Sequence, residues 1–277
     1  MSETIQRVVL TAINSSLEQT LPILVPLLGF GWLIHLFSSL LEKSAVKLFG
    51  LKAHLYLLGW LGTLVHELGH AVFCPLFGHR VTGMRLFSLS TRRQNAGYVC
   101  HSYNGWNPYH LIGNFFISIG PLVLGSFLIY LSLRYLAGLP LHLDAAPAPG
   151  KSSALTDGML VWSGQFLRSL KIILVQMGRN LDPGDYRLYL AGYLVLSIGS
   201  AMTLSRQDLH SAGRGLGVVL LLVFAINLIL AGIGLSSPDV APLVRWAAVT
   251  CMMLMVILIL CGTAALLLGL LSRLTGR

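Results

Sequence analysis

The chain has 277 residues, of which 55% are hydrophobic and 10% are charged. A soluble domain carries roughly 25% charged residues, because its surface must face water. The composition therefore excludes an ordinary soluble enzyme, a disordered chain and a fibrous repeat, and it favours a lipid bilayer as the solvent. The formal net charge is +9. Because the basic residues lie mainly between apolar runs, we expect anionic lipid headgroups, and not nucleic acid, as their partner.

The apolar runs predict an all-α polytopic membrane protein with about six transmembrane helices. Before the first of them, residues 5–17 place apolar side chains at helical spacing, which indicates a short amphipathic helix on the membrane surface. We expect no signal peptide, because no small-residue cleavage site follows a short apolar core. The predicted spans occupy residues 21–41, 51–74, 108–136, 187–204, 216–235 and 244–271.

The connections between the spans differ in character. Between the second and third spans, short β-prone pieces at residues 81–89 and 97–103 predict a β-hairpin at the membrane surface. After the third span, residues 137–158 are rich in Pro, Ala, Gly and Ser and are typical of a loop. Residues 159–178 have one apolar side and one polar side, which favours an interfacial amphipathic helix over a span.

The second predicted span contains an HExxH motif, His66-Glu67-Leu68-Gly69-His70. Residues four apart share a helical face, so both imidazoles can reach one metal ion, and Glu67 beside them can act as a general base. Zinc suits a site with two imidazoles, a third ligand from elsewhere in the chain and an open coordination position. A bound zinc ion lowers the pKa of its water ligand to about 7. Ionisable groups that serve nothing are costly in an apolar span, so a metal site is favoured over polar residues at the membrane surface.

The third metal ligand must be non-local, and Asp208 is the best candidate. Spans two and four run parallel, so Asp208, after span four, falls on the same side of the bilayer and at a similar depth as His66 and His70. The alternative is that Asp208 is an exposed acid that binds no metal. His101 and His210 are the candidates to replace it as the third ligand. The acids that fall on the opposite side are Asp144, Asp157, Asp182, Asp185 and Asp239.

The sequence resembles the site-2 protease family of intramembrane zinc metalloproteases. Three features carry the resemblance, namely the HExxH motif in an apolar helix, the hairpin after it and Gly120-Pro121 in the third span. Gly120-Pro121 is similar to the Gly-Pro element on that family's next core helix, and Asp208 matches the aspartate ligand on its third core helix. The resemblance implies one zinc ion per chain and regulated intramembrane proteolysis, in which a peptide bond in or near a transmembrane segment of a membrane-protein substrate is hydrolysed. It also implies a cell-membrane location with the active site towards the cytosol.

This resemblance sets the predicted domain organisation. Residues 1–20 form an amphipathic interfacial segment, and residues 21–277 form one membrane-embedded, protease-like domain. Its catalytic core comprises residues 51–136 and 187–215, separated by the loop and amphipathic helix at 137–186.

A substrate helix must unwind before it is cut, because its scissile carbonyl groups lie inside hydrogen bonds. The predicted hairpin can hold an unwound segment by adding it as a strand, although a basic, lipid-facing loop is the alternative. Asn114 in the third span is a candidate substrate-binding residue, since its side chain can donate to a substrate carbonyl or a developing oxyanion. A helix–helix hydrogen bond is the other interpretation of Asn114.

Two other classes of function are consistent with a metal site in the membrane. The first is a non-catalytic metal-binding protein, or a pseudoprotease that binds membrane helices. Glu67 argues against it, because a structural metal site needs no base. The second is a metal-ion transporter, but acids and histidines are not repeated along several spans as a relay would require.

Overall fold

The computed structural model describes residues 2–89, 96–139 and 182–274, with scattered positions between 163 and 179. A two-stranded antiparallel sheet, β1 (Arg80–Arg85) and β2 (Tyr98–Ser102), lies between the second and third helices. The predicted all-α polytopic fold with a short hairpin after the HExxH helix is therefore confirmed. The helices are α1 (Ser2–Phe49), α2 (Leu51–Leu76), α3 (Pro108–Leu136), α4 (Tyr186–Ser200), α5 (Arg206–Gly232) and α6 (Ala241–Leu274).

Five of these six helices, all except α4, are long and apolar enough to cross a membrane. Six spans were expected. The predicted fourth span, residues 187–204, is the helix α4, which has only 15 residues. At about 1.5 Å per residue it is shorter than a hydrocarbon core of about 30 Å. The predicted fifth span begins earlier than expected, at Arg206, so Asp208 lies inside α5 and not at the end of the fourth span.

α1 is one helix of 48 residues. The predicted amphipathic segment at residues 5–17 and the predicted first span both lie within it, without a break between them. α1 packs along α6 and α5. On α5, the buried Asn227 donates to Ser16 Oγ at 3.0 Å and to Gln19 Oε1 at 2.9 Å. These polar contacts join α5 to the N-terminal half of α1.

Some sequence predictions fall on parts of the chain that the structure does not describe. The predicted loop at 137–158 lies outside the described residues after position 139. The described positions of the amphipathic helix predicted at 159–178 are helical from residue 163 onward. The tip of the hairpin, residues 90–95, also lies outside the described residues.

α2 and α3 approach each other closely at small residues. A Cβ added at Gly69 would lie 2.6 Å from the backbone nitrogen of Pro121, so only glycine fits at this crossing. Gly120 is equally close to the backbone of Gly69. Small residues of this kind let helix backbones meet within a membrane. The Gly120-Pro121 element therefore lies directly against the HExxH helix.

α4 and α5 run antiparallel to α3. Met202, between the two helices, packs against Gly125 of α3. Gly215 of α5 packs against Phe115, which is nearer the N-terminal end of α3. The chain therefore keeps one direction through α4, the break at residues 201–205 and α5. The break lies beside the middle of α2.

Candidate metal centre

His66 and His70 are both held by backbone carbonyl groups from other parts of the chain. His66 Nδ1 lies 2.8 Å from the oxygen of Ala201, and His70 Nδ1 lies 2.8 Å from the oxygen of Ile117. A carbonyl oxygen can only accept, so each neutral ring carries its proton on Nδ1 and has an unprotonated Nε2. The two Nε2 atoms lie 3.2 Å apart.

This arrangement fits a shared cation. With both protons on Nδ1, neither Nε2 can donate a hydrogen bond to the other, and their lone pairs repel. A metal ion that accepts both lone pairs removes the repulsion, and the Nδ1–carbonyl bonds are the kind that orient histidine ligands around metals. Two imidazoles and a carboxylate also match the donor set of catalytic zinc sites.

Asp208 completes the group from the first turn of α5. Its N–H donates to Ser205 Oγ at 3.1 Å, and its Oδ2 accepts from the N–H of Ser205 at 2.8 Å. This reciprocal capping box fixes the carboxylate. The other oxygen, Oδ1, lies 3.6 Å from His70 Nε2. One ligand atom from each of His66, His70 and Asp208 lies within 4.8 Å of the other two, so the three residues could hold a metal ion.

The break between α4 and α5 explains how two of these contacts arise. The last carbonyl groups of a helix have no partner in that helix, and the one at Ala201 accepts from His66. The first turn of the next helix is where a capping acid is stable, and Asp208 takes that position. Non-helical backbone at membrane depth is tolerated where protein surrounds it. One interruption of the helical path therefore supplies both an oriented carbonyl and a fixed carboxylate.

Glu67 lies beside the two histidines and is covered by the hairpin. Its side chain is buried, with 9% of the residue exposed. A Cβ added at Gly97, just before β2, would lie 2.7 Å from Glu67 Cγ and 2.9 Å from Thr63 Cγ2. The absence of a side chain at position 97 therefore allows the hairpin to approach the candidate general base.

Asn114 is buried in α3, with 2% of the residue exposed. Its Nδ2 donor has no hydrogen-bond partner among the described residues. The helix–helix hydrogen bond considered for this donor is therefore not formed there. An unpaired buried donor leaves the Asn114 amide available to a ligand.

The alternative third ligands do not join the three-residue group. His210 is exposed on α5. His101 lies on β2, where its Nδ1 is 2.9 Å from His79 Nδ1. Neither residue belongs to the group whose ligand atoms lie within 4.8 Å of one another.

The other acids have local capping roles or are not described. Asp185 accepts from the N–H of Arg187 at the start of α4, and Asp239 accepts from the N–H of Ala241 at the start of α6. Asp182 accepts from the N–H of Gly184. The remaining two lie outside the described residues and are Asp144 and Asp157.

The sequence motifs do not select the contacts that orient the site. The carbonyl groups of Ala201 and Ile117 carry no side-chain signal, so no pattern could have found them. His79 and His110 could have been noticed, because they flank the predicted hairpin, which itself contains His101.

Comparison with known families agrees with this geometry. A family model described as Peptidase M50B-like matches residues 44–141. The match indicates the site-2 protease family of intramembrane metalloproteases. It covers the HExxH helix, the hairpin and the Gly-Pro helix, and it ends before Asp208. No curated protein and no solved structure matches the chain.

The family match confirms the resemblance that the motifs indicate. It supports an intramembrane metallopeptidase kind of function. Together with the apolar helices, it supports an integral, multi-pass membrane protein in a lipid environment. The family is of the zinc metalloprotease type, and the group formed by His66, His70 and Asp208 could bind a metal.

Proposed function

We propose that the protein is an intramembrane zinc metalloendopeptidase that hydrolyses a peptide bond in or near a transmembrane segment of a membrane-protein substrate. One observation carries the proposal. The Nε2 atoms of His66 and His70 face each other at 3.2 Å without a proton to share, and Asp208 lies beside them. Because a metal ion would resolve this arrangement and Glu67 is adjacent, the site supports hydrolysis better than structural metal binding.

The chain's own residues would divide the chemistry as follows. His66, His70 and Asp208 would hold one zinc ion, which when bound supplies a Lewis acid and makes water a stronger nucleophile near neutral pH. Glu67 takes a proton from the attacking water and later gives it to the leaving amine. The Asn114 Nδ2 donates to the substrate carbonyl as negative charge develops on its oxygen.

The hairpin would hold the substrate. β1 and β2 pair only with each other among the described residues, so each has a free edge to which an unwound segment can add. The hairpin reaches Glu67 at Gly97, so a strand bound to it lies close to the candidate base. The basic residues of the two sides nearly balance, but weighting those in short loops, such as Arg80 and Arg85 on β1, together with the family resemblance, favours the cytosolic side of the cell membrane for this end of the protein.

A comparison between the wild type and Glu67→Gln tests the proposal. Both proteins are purified in detergent, analysed for zinc, and incubated with lysine-flanked transmembrane peptides that carry helix-breaking residues. Because general acid–base catalysis contributes about 10²–10⁴-fold, we expect Glu67→Gln to lose cleavage by that factor. Its zinc content should equal that of the wild type, since Glu67 is not a ligand.

Two results would contradict this. Cleavage at the wild-type rate by Glu67→Gln would remove Glu67 from the mechanism. A wild-type protein that binds zinc but cleaves none of the peptides, with or without a chelator, would favour the non-catalytic metal-binding alternative.

A further inference from the structure

A second group of histidines lies on the hairpin side of the metal centre. We call it the hairpin cluster, and its members are His79, His101 and His110. His79 is buried, with 4% of the residue exposed. Two glycines make room for the rings. A Cβ at Gly113 would lie 2.9 Å from His79 Nε2, and one at Gly78 would lie 2.9 Å from His110 Nε2.

The hydrogen bonds of the cluster fix where the protons lie. His79 Nε2 is 2.8 Å from the backbone oxygen of His110, so Nε2 carries a proton and donates it. A neutral His79 then has an unprotonated Nδ1. That atom lies 2.9 Å from His101 Nδ1, so His101 donates through Nδ1–H. A neutral His101 therefore has an unprotonated Nε2.

Both rings are neutral near pH 7. Burial lowers the pKa of His79, and this effect outweighs the hydrogen bond to the His110 backbone oxygen, which raises it. Burial also lowers the pKa of His101, and this effect, with a smaller contribution from His79, outweighs Asp208, which raises it. The Tyr103 ring stacks on His79 with centroids 4.7 Å apart and an angle of 16°, which restrains the imidazole.

His101 lies on the side of the hairpin that covers α2. Along β2, Val99 and His101 are less exposed than their neighbours, so they share the inner face of the strand. Just before β2, Gly97 packs against Glu67 on α2. Gly97 and His101 therefore lie on the same face of the hairpin, the face that is turned towards the candidate base. His101 Nε2 has no hydrogen-bond partner among the residues that the structure describes.

An unwound peptide in this site exposes backbone N–H groups that need acceptors, because little water is available at membrane depth. We propose that His101 Nε2 accepts a hydrogen bond from a backbone N–H of the unwound substrate, and that His79 is a positioning residue that holds His101 in the required tautomer. This inference rests on the proposed peptidase function and adds a substrate-binding group on the hairpin side.

The tautomer is tested by ¹⁵N NMR of histidine-labelled, zinc-loaded protein in detergent micelles near pH 7. We expect His101 to be protonated on Nδ1 only and His79 on Nε2 only, each signal being assigned by its loss on substitution. His79→Phe keeps a ring against Tyr103 but removes the acceptor, so His101 should shift towards the Nε2–H tautomer. His35→Phe, which replaces an exposed histidine on α1, is the matched control and should leave His101 unchanged.

The substrate contact is tested by cleavage kinetics with the transmembrane peptides. His101→Phe should raise KM about tenfold, the factor expected when one hydrogen bond to the substrate is lost. The kcat and the zinc content should not change. His101→Gln places an amide oxygen near the position of Nε2 and should restore part of the loss.

The outcomes are distinguishable. An Nε2-protonated His101 in the wild type overturns the role of His79, and an unchanged KM in His101→Phe overturns the substrate contact. Loss of zinc in His101→Phe would make it a ligand and would also overturn the proposal. If the wild type cleaves no peptide, the proposed function and the substrate contact both fail, whereas the tautomer still decides whether His79 positions His101.

Discussion

The two pairs of facing histidines in this protein differ in where their protons lie. At the metal centre, both His66 and His70 donate to backbone carbonyl groups, so no proton lies between Nε2 atoms 3.2 Å apart. In the hairpin cluster only His79 donates to a carbonyl, and His101 supplies the proton between Nδ1 atoms 2.9 Å apart. The first pair could therefore hold a metal ion, whereas the second pair is joined by a hydrogen bond of its own. The number of carbonyl acceptors, and not the residue type, separates a candidate metal site from a hydrogen-bonded pair.

The largest expected difference between the two pairs is in zinc affinity. Removing one of three protein ligands should cost about a third of a binding free energy of roughly 12 kcal/mol, so His70→Ala should bind zinc about a thousandfold more weakly. His79→Phe should bind zinc as the wild type does. Competition with a chromogenic chelator measures both. Equal losses of zinc affinity in His70→Ala and His79→Phe would show that the two histidine pairs do not differ in metal binding.

A smaller loss of zinc affinity is expected for Asp208→Asn. The amide oxygen can still accept from the N–H of Ser205, so the start of α5 should be kept, but the negative charge beside the histidines is lost. We expect affinity to fall at least by the factor of about 10–100 that is typical of changes around a metal site. Asp185→Asn, at the start of α4, is the matched control. Unchanged affinity in Asp208→Asn would move the third ligand elsewhere.

The carbonyl contact of His70 depends on the close approach of α2 and α3. In Gly69→Ala the new Cβ would meet the backbone of Pro121, which has no flexible atoms to move. We expect the free energy of unfolding to fall by about 1–3 kcal/mol, as is typical of overpacked sites. Gly192→Ala on α4, where a Cβ meets nothing within 4 Å, serves as the control. Chemical denaturation in detergent compares them, and an equal effect of both would exclude a special role for this crossing.

The smallest expected effect is a pH dependence of the hairpin. Burial lowers the pKa of His79 and His101 in the folded state. In the unfolded hairpin both side chains have the ordinary histidine pKa of about 6.5, so below that pH they take up protons more readily than in the folded hairpin. The stability of the hairpin is therefore full above that pH and decreases as pH falls below it. Hydrogen exchange of the β1 and β2 amides, corrected for intrinsic rates, measures this. The double variant His79→Phe, His101→Phe should lose the dependence, and protection that increases on acidification would contradict it.

The position of Asp208 along the helices differs from the one that the sequence predicts. The sequence places Asp208 after the fourth span, whereas it lies in the first turn of α5. The depth in the bilayer that the sequence predicts for Asp208 nevertheless agrees with its place beside His70, because α4 and α5 continue in one direction and their junction lies beside α2. The roles assigned to Glu67, Asn114 and the zinc ligands stay predictions until the variants are measured.

The bilayer as solvent, the helical fold, the hairpin and the pairing of His66 with His70 could be determined from the sequence by itself. They depend on composition, local turn residues and the periodicity of one helix, all of which are written along the chain. Only the tertiary structure decided that Ala201 and Ile117 orient the imidazoles, and that His79 and His101 share a proton. Backbone carbonyl groups are the same in every residue, so the ones that reach a given side chain depend on how distant helices cross and where they break.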